Sequence, residues 1–169
     1  AWLLLEDAVK CTRNDLFLRG NEEITKEQEI LYKEYLEKRS RRIPVQHILG
    51  VQCFCGLDFI VTPDVLCPRL DTEVLIEEAL KHIRPGSRIL DMCTGSGCII
   101  LTLMHFVKDS QGTAADLSEK ALAVAKQNAE KLEKECKLIH SDLFENINGK
   151  YDVIISNPPY IATKEIDAL

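Results

Sequence analysis

The sequence lacks any apolar stretch long enough to cross a lipid bilayer. Its longest apolar stretch, residues 98–104, is far shorter than the roughly 20 residues that a membrane-spanning helix needs. Aromatic residues make up only 6% of the chain, but 46% hydrophobic and 28% charged residues are typical of a folded domain. We therefore expect a folded globular protein with no membrane segment.

The sequence also lacks paired cysteine motifs. None of its seven cysteines forms a Cys-x-x-Cys pair, and its four histidines stand far apart. This pattern indicates neither a disulfide framework nor a zinc site. Free thiols at this density are typical of the reducing cytoplasm. We therefore expect a cytoplasmic protein that binds no metal.

An excess of basic residues is missing as well. The chain carries 21 lysines and arginines against 27 acidic residues, a formal net charge of -6. Proteins that hold phosphate backbones usually have the opposite balance. The charge therefore argues against direct nucleic-acid binding over a broad surface.

Residues 1–43 have the apolar period of a helix. Leu4, Leu5 and Ala8 recur at spacings of three and four. Thr25 and Gln28 form a capping box that begins a later helix, and Pro44 cannot continue it. These residues predict a small helical domain.

Residues 44–68 have a pattern typical of short β-strands. Two β-type runs, 52–55 and 58–61, flank Gly56, and Pro63 closes the second run. This pattern predicts a hairpin that links two domains. Cys53 and Cys55 are expected on one face of its first strand.

Residues 69–169 alternate helices and strands. Asp71 or Thr72 is expected to cap a helix that reaches Pro85, and further helices follow Gly97 and Ser118. The predicted strands are 88–92, 113–116, 137–141 and 152–156. This order predicts an α/β fold with a doubly wound, mainly parallel, Rossmann-like sheet, in which ligands bind beyond the carboxyl ends of the strands.

The first of these strands runs into a glycine-containing turn, residues 91–97. Gly95 and Gly97 allow a sharp turn and a close ligand approach at a helix start. Asp116 ends the second strand, where acidic side chains accept hydrogen bonds from ribose hydroxyls. A turn chosen for packing, a dehydrogenase and a transferase with an adenosyl cofactor all remain compatible with these residues.

The fourth strand leads into Asn157-Pro158-Pro159-Tyr160. Two prolines remove two backbone donors and fix two φ angles, which makes a rigid loop at the ligand edge. A carboxamide, a backbone carbonyl and an aromatic ring suit a planar group bearing an NH2. This loop favours the transferase over the dehydrogenase.

The chain resembles the release-factor glutamine methyltransferases, the HemK/PrmC-like family of class I S-adenosylmethionine-dependent methyltransferases. The resemblance covers nearly the whole chain. It rests on the turn and the loop above and on three further segments: Pro44-Val45-Gln46-His47-Ile48-Leu49-Gly50, Phe54-Cys55-Gly56-Leu57-Asp58-Phe59 and Pro68-Arg69-Leu70-Asp71-Thr72-Glu73. Cys93 departs from a glycine that the family usually has, and we expect it to fit if its φ stays negative. Leu70-Asp71 departs from the usual Pro-Glu.

The resemblance implies an enzyme of translation termination that methylates the glutamine amide of the Gly-Gly-Gln motif in class-I peptide chain release factors. Its cofactor would be S-adenosylmethionine, its product S-adenosylhomocysteine, and it would act as a monomer. Catalysis would fall to Asn157, Pro158 and Tyr160, with Pro159 also contacting substrate. Cofactor contacts would come from Asp91, Cys93, Thr94, Gly95, Ser96, Gly97, Asp116, Asp142, Leu143 and Asn157.

Two other functions stay open. A nucleic-acid adenine methyltransferase uses the same loop on a flipped base, although the net charge of -6 fits it poorly. A binding module that keeps the fold without chemistry is the other. Because the resembling enzymes continue their sheet beyond this loop, we also expect the methyltransferase domain, 69–169, to be incomplete at its C-terminal end.

Overall fold

The computed structural model describes residues 2–18 and 20–159. The chain divides into two compact units, Ala1–Val51 and Gln52–Leu169. The division predicted from the sequence, into 1–43, 44–68 and 69–169, stays a prediction. In the part of the chain that is described, no helix is long and apolar enough to span a membrane.

The first unit is helical, as the sequence predicts. Its helices are α1 (Trp2–Val9), α2 (Arg13–Leu18), α3 (Lys26–Ser40) and α4 (Val45–Leu49). The predicted capping box is confirmed: the Gln28 backbone N–H donates to Thr25 Oγ1 at 3.2 Å, and the Thr25 N–H donates to Gln28 Oε1 at 2.9 Å. The hydroxyl of Tyr35 donates to Asp7 Oδ2 at 2.7 Å and ties α3 to α1.

Helix α4 corrects the sequence prediction, which treated residues from 45 onward as β-like. Pro44 takes the N-cap position with φ of -55°, and Gly50 ends the helix with φ of 74°. Proline presets the helical φ of a first turn, and glycine adopts the left-handed conformation that ends one. Five residues are too few for a helical period to be visible in the sequence.

The predicted hairpin is present, with strands β1 (Val51–Phe54) and β2 (Leu57–Ile60). Cys55 and Gly56 form its turn, with φ of 49° and 78°, the positive angles of a tight two-residue hairpin turn. The expected position of Cys55 on the first strand beside Cys53 is therefore wrong. Phe54 and Phe59 are buried and pack edge to face, with 6.2 Å between their ring centroids.

The predicted parallel sheet is confirmed. It consists of β3 (Arg88–Met92), β4 (Gln111–Asp116), β5 (Lys137–His140) and β6 (Val153–Ser156) in the order β5-β4-β3-β6. Because Met92 pairs with both Ala115 and Ser156, the carboxyl ends of the central strands lie level. The chain order reverses between β3 and β6, where parallel sheets bind their ligands.

Three helices accompany this sheet: α5 (Asp71–Leu80), α6 (Cys98–Phe106) and α7 (Glu119–Lys131). Leu70 is the N-cap of α5 and offers no capping side chain, so the predicted cap at Asp71 or Thr72 is wrong, and both lie within the first turn. The predicted cap of α7 is confirmed, since the Ala121 N–H donates to Ser118 Oγ at 3.2 Å. A Cβ at Gly112 would overlap Met104 Sδ, so glycine lets α6 pack tightly on β4.

Candidate functional site

A cavity of about 850 Å³ opens at the carboxyl edge of the parallel sheet. This volume lies within the range of small-molecule sites. Segments that follow β3, β4, β5 and β6 line the cavity together with the start of α5. The sequence-predicted residues among its lining are Cys93, Gly95, Asp116, Asp142, Leu143, Asn157, Pro158 and Pro159.

The remaining predicted residues do not line the cavity or are not described. Asp91, Thr94, Ser96 and Gly97 are absent from its described lining. Asp91, Thr94 and Ser96 are buried, which explains why they do not reach the cavity. Tyr160 lies outside the described residues.

The turn after β3 consists of backbone in a left-handed conformation at three positions. Cys93, Gly95 and Gly97 have φ of 60°, 57° and 78°. The condition under which Cys93 was expected to fit the turn, a negative φ, is therefore not met, and the chain places a non-glycine residue in the left-handed region. A Cβ at Gly97 would meet the Ala125 Cβ at 3.2 Å, so this glycine also lets the turn approach α7.

Asp116 joins the turn to the next helix. One carboxylate oxygen accepts the Gly95 N–H at 2.9 Å, and the other accepts the Ser118 N–H at 2.9 Å. A carboxylate oxygen has two acceptor positions, so each keeps one for a further donor. The half-buried side chain lines the cavity, and its free positions suit a ligand hydroxyl.

Asp91, on the neighbouring strand, has different surroundings. It is fully buried, accepts the Thr94 hydroxyl at 2.6 Å, and its Oδ1 has no hydrogen-bond partner among the described residues. Burial raises the pKa of this carboxyl to about 7. In this geometry Asp91 orients Thr94 rather than facing the cavity.

Sequence reasoning missed Asn128, which ties the hairpin to the turn. Its Oδ1 accepts the Ile60 N–H at 2.6 Å, and its Nδ2 donates to the Ile60 and Ser96 carbonyls, each at 2.9 Å. The side chain is fully buried and all three contacts come from sequence-distant segments. A signal existed, because Asn128 falls on the apolar face of α7 beside Ala125 and Ala129.

Sequence reasoning also assigned no role in the site to residues at the start of α5. Arg69, Asp71 and Thr72 line the cavity, and the Asn157 side-chain amide donates to Thr72 Oγ1 at 3.3 Å. Behind the loop, the Ser156 hydroxyl donates to the Met92 carbonyl at 2.7 Å. The signal for these residues was the segment 68–73, which carries the family resemblance.

The lining is acidic with apolar walls. Arg69 is the one basic residue in the described lining. Four carboxylates accompany it: Asp64, Asp71, Asp116 and Asp142. This charge favours a ligand that bears positive groups. Leu117 and Leu143 add exposed apolar surface to the cavity, which suits a flat aromatic ring.

The thiol of Cys93 faces the same cavity. Burial raises its pKa, and the Asp116 carboxylate raises it further. A raised pKa keeps the sulfur protonated and poorly nucleophilic. Among the described residues, no group of three or more His, Cys, Asp or Glu side chains is arranged to hold a metal ion.

Two family models match the chain. The model of the methyltransferase small domain matches residues 59–169, and the model of the PrmC N-terminal domain matches residues 1–50. The first match covers well over half of the chain.

Curated relatives match nearly all of the chain. The release factor glutamine methyltransferase of Geobacter sulfurreducens is 40% identical over 167 residues, covering 98% of this chain and 59% of that protein. The enzyme of the same name from Koribacter versatilis is 40% identical, covering 99% of this chain and 61% of that protein. The chain thus spans about three fifths of these relatives' length.

Solved structures share the fold. A methyltransferase from Pyrococcus furiosus has a TM-score of 0.55 at 22% identity, covering 73% of this chain and 63% of that chain. The Thermus thermophilus 16S rRNA N2 G1207 methyltransferase, solved with AdoMet and guanosine, has a TM-score of 0.55 at 19% identity, covering 67% and 33%. At these identities the likeness concerns the fold alone.

Proposed function

Because the chain belongs to the methyltransferase small domain family, we propose that the full-length protein methylates the glutamine amide nitrogen in the Gly-Gly-Gln motif of class-I peptide chain release factors. The methyl donor would be S-adenosylmethionine. The named function of the relatives supports this activity. The observation that carries it in this chain is that Asn157, Pro158 and Asp116 line one cavity.

The cavity fits this cofactor in size and charge. S-adenosylmethionine carries a sulfonium and an ammonium group, which the acidic lining would attract. Asp116 keeps acceptor positions for ribose hydroxyls, and Asp142 with Leu143 would lie near the adenine. The turn 93–97 would hold the methionine part. When bound, the cofactor supplies a methyl group on an electrophilic sulfonium.

Asn157 and Pro158 would orient the substrate amide. The Asn157 Oδ1 and the Pro158 carbonyl would each accept one hydrogen of the glutamine NH2, which aims the nitrogen lone pair toward the methyl donor. The two prolines hold these acceptors rigidly. Alignment of this kind can supply about 7 to 11 kcal/mol. No general base is needed before attack, because the nitrogen loses its proton to water only after it has gained the methyl group and become acidic. Tyr160 would pack on the amide plane.

The first unit would hold the release factor. It is compact by itself and matches the PrmC N-terminal domain, and its residue types form no catalytic cluster. We also propose that the protein acts as a monomer in the cytoplasm, where release factors work.

Methyl transfer from radiolabelled S-adenosylmethionine tests the proposal directly. Full-length protein is incubated with a purified class-I release factor, with the same factor carrying glutamate in place of the motif glutamine, and with duplex and single-stranded DNA. We expect label only on the unaltered release factor, mapped by mass spectrometry to the glutamine. Label on DNA alone would instead support the adenine methyltransferase, and label on neither would indicate a binding module.

A further inference from the structure

Thr72 contacts the amide that the proposed reaction depends on. It lies in the first turn of α5 and lines the cavity, and its Oγ1 accepts a hydrogen bond from Asn157 Nδ2 at 3.3 Å. The two residues are 85 positions apart in the chain. Their contact therefore depends on how α5 packs beside the end of β6.

The contact matters because the two ends of a carboxamide have opposite hydrogen-bonding roles. Nδ2 donates and Oδ1 accepts. When Nδ2 is engaged by Thr72, Oδ1 is left to face a substrate NH2. If the amide turned over, two NH2 groups would face each other, and the proposed substrate contact would be lost.

The backbone around Thr72 is anchored to the hairpin. In a helix, threonine χ1 is limited to two main rotamers. The adjacent Glu73 accepts the Cys55 N–H at 2.8 Å, which anchors the start of α5 to the turn of the hairpin. The segment Asp71-Thr72-Glu73 thus joins the hairpin to the loop that carries Asn157.

We propose that Thr72 is a positioning residue whose hydroxyl holds the Asn157 side-chain amide in place through Nδ2, with Oδ1 left free for the substrate. The inference rests on the proposed glutamine methylation and deepens it by naming what orients its acceptor. Thr72 acts through Asn157 and takes no part in the methyl transfer itself.

Kinetics of Thr72→Val and Thr72→Ser in the full-length protein test this role. Valine keeps the shape of threonine but removes the hydroxyl, so we expect kcat for release factor methylation to fall about tenfold, the size of one lost hydrogen bond. Serine keeps the hydroxyl and should stay near wild type. The dissociation constant for S-adenosylmethionine should change little in both.

Thr102→Val is the matched control. Thr102 is fully buried in α6 and its Oγ1 has no partner among the described residues, so the same chemical change there should leave kcat unaltered. Thermal melting verifies that each variant is folded. If Thr72→Val is not, Thr72→Ala replaces it, since alanine also removes the hydroxyl.

A double-mutant cycle separates positioning from general damage. Asn157→Ala should lower kcat strongly, and Thr72→Val should add no further loss in that background, because residues that act as a unit are not additive. If Thr72→Val lowered kcat by the same factor in wild type and in the Asn157→Ala background, the inference would be overturned. Wild-type kcat in Thr72→Val would overturn it as well.

A spectroscopic readout is independent of the proposed activity. In the full-length protein, the ¹⁵N–¹H resonances of the Asn157 side-chain amide should shift in Thr72→Val and stay in place in Thr102→Val. If wild type methylates no glutamine, the proposed function fails, and with it the catalytic meaning of the contact. Unshifted Asn157 resonances would contradict the contact itself.

Discussion

Two carboxyl groups at neighbouring strand ends have opposite surroundings, and each predicts a different measurement. Asp91 is fully buried and accepts one hydroxyl, whereas Asp116 is half-buried and accepts two backbone N–H groups. A buried carboxyl favours its neutral form, because a charge loses its hydration there. Asp91 should therefore affect stability, and Asp116 should affect ligand binding.

For Asp91, we expect the Asp91→Asn variant to gain stability relative to wild type as the pH rises from about 4 to 7. Burial raises the pKa of this carboxyl from its ordinary value of 3.8 to about 7 in the folded protein. Between these values the folded state binds more protons than the unfolded state, so wild type loses stability as pH rises. Asparagine does not titrate and lacks this loss.

Urea unfolding of wild type and Asp91→Asn at pH 4, 5, 6 and 7 measures the effect. The difference between the two free energies of unfolding should grow in favour of the variant by on the order of a few kcal/mol over this range. A difference that does not change with pH would mean that Asp91 titrates in the folded state as it does in water.

For Asp116, we expect Asp116→Ala to weaken S-adenosylmethionine binding by about 1 to 3 kcal/mol, the range for a lost hydrogen bond to a charged group. Calorimetry on the full-length protein measures the dissociation constant. Asp58→Asn, an exposed change in the hairpin, is the control and should bind as wild type does. Unaltered affinity in Asp116→Ala would remove Asp116 from the cofactor site.

Cys93 carries backbone strain that its sequence neighbours do not reveal. A φ of 60° destabilises a non-glycine residue by about 1 to 2 kcal/mol. Glycine avoids this strain but loses more conformational entropy on folding, which offsets part of the gain. We expect Cys93→Gly to raise the free energy of unfolding by about 0.5 to 1 kcal/mol. Cys93→Val should lower it, since β-branched residues avoid this region. Urea unfolding of both variants measures these changes. If Cys93→Gly were destabilised instead, the packing of the Cys93 thiol would outweigh the backbone strain.

At the scale of elements, one side chain connects a hairpin, a turn and a helix. Asn128 on α7 pairs with both backbone groups of Ile60 in β2 and with the carbonyl of Ser96. It thereby pairs both backbone groups of the last residue of β2. Through this one amide, α7 links β2 to the turn that follows β3.

We expect Asn128→Ala to lower the free energy of unfolding by about 2 to 5 kcal/mol, because one buried and two partly buried backbone groups lose their partner. Gln127→Ala is the matched control: it is the preceding residue on the same helix and is exposed. Its effect should stay within about 0.5 kcal/mol. Denaturant unfolding of both variants provides the comparison, and equal effects would show that water replaces the contacts of Asn128.

At the scale of the whole molecule, the chain divides into a helical unit and a unit that contains the hairpin and the α/β sheet. The cavity and its polar residues belong to the second unit. The first unit contributes helices that match the PrmC N-terminal domain. The proposed function therefore assigns recognition of the release factor and chemistry on its glutamine to different parts of the chain.

Deletion of residues 1–42 from the full-length protein should therefore lower kcat/KM for a folded release factor at least tenfold. A short peptide containing Gly-Gly-Gln should lose far less, because it presents the motif without the rest of the factor. Steady-state methylation of both substrates measures the ratio. Equal losses would indicate a damaged catalytic unit, and equal efficiency with the folded factor would exclude recognition by the helices.

The sequence alone determined the features that depend on local pattern. The apolar periods predicted the helical module, the hairpin and the four parallel strands, and the turn and loop segments carried the resemblance that the comparisons confirm. These features are visible because short-range propensity and turn chemistry specify them within a few residues. The cavity-lining positions of Asp116 and Asn157 follow from the same rules, because Asp116 ends one parallel strand and Asn157 directly follows another.

Only the tertiary structure decided the features that depend on packing between distant segments. The burial of Asp91, the positive φ of Cys93 and the short helix α4 contradict or extend local expectation. The contacts of Asn128 with Ile60 and of Asn157 with Thr72 join segments 68 and 85 residues apart. No local pattern encodes such a distance, because a buried polar side chain finds its partners only when the core has closed around it.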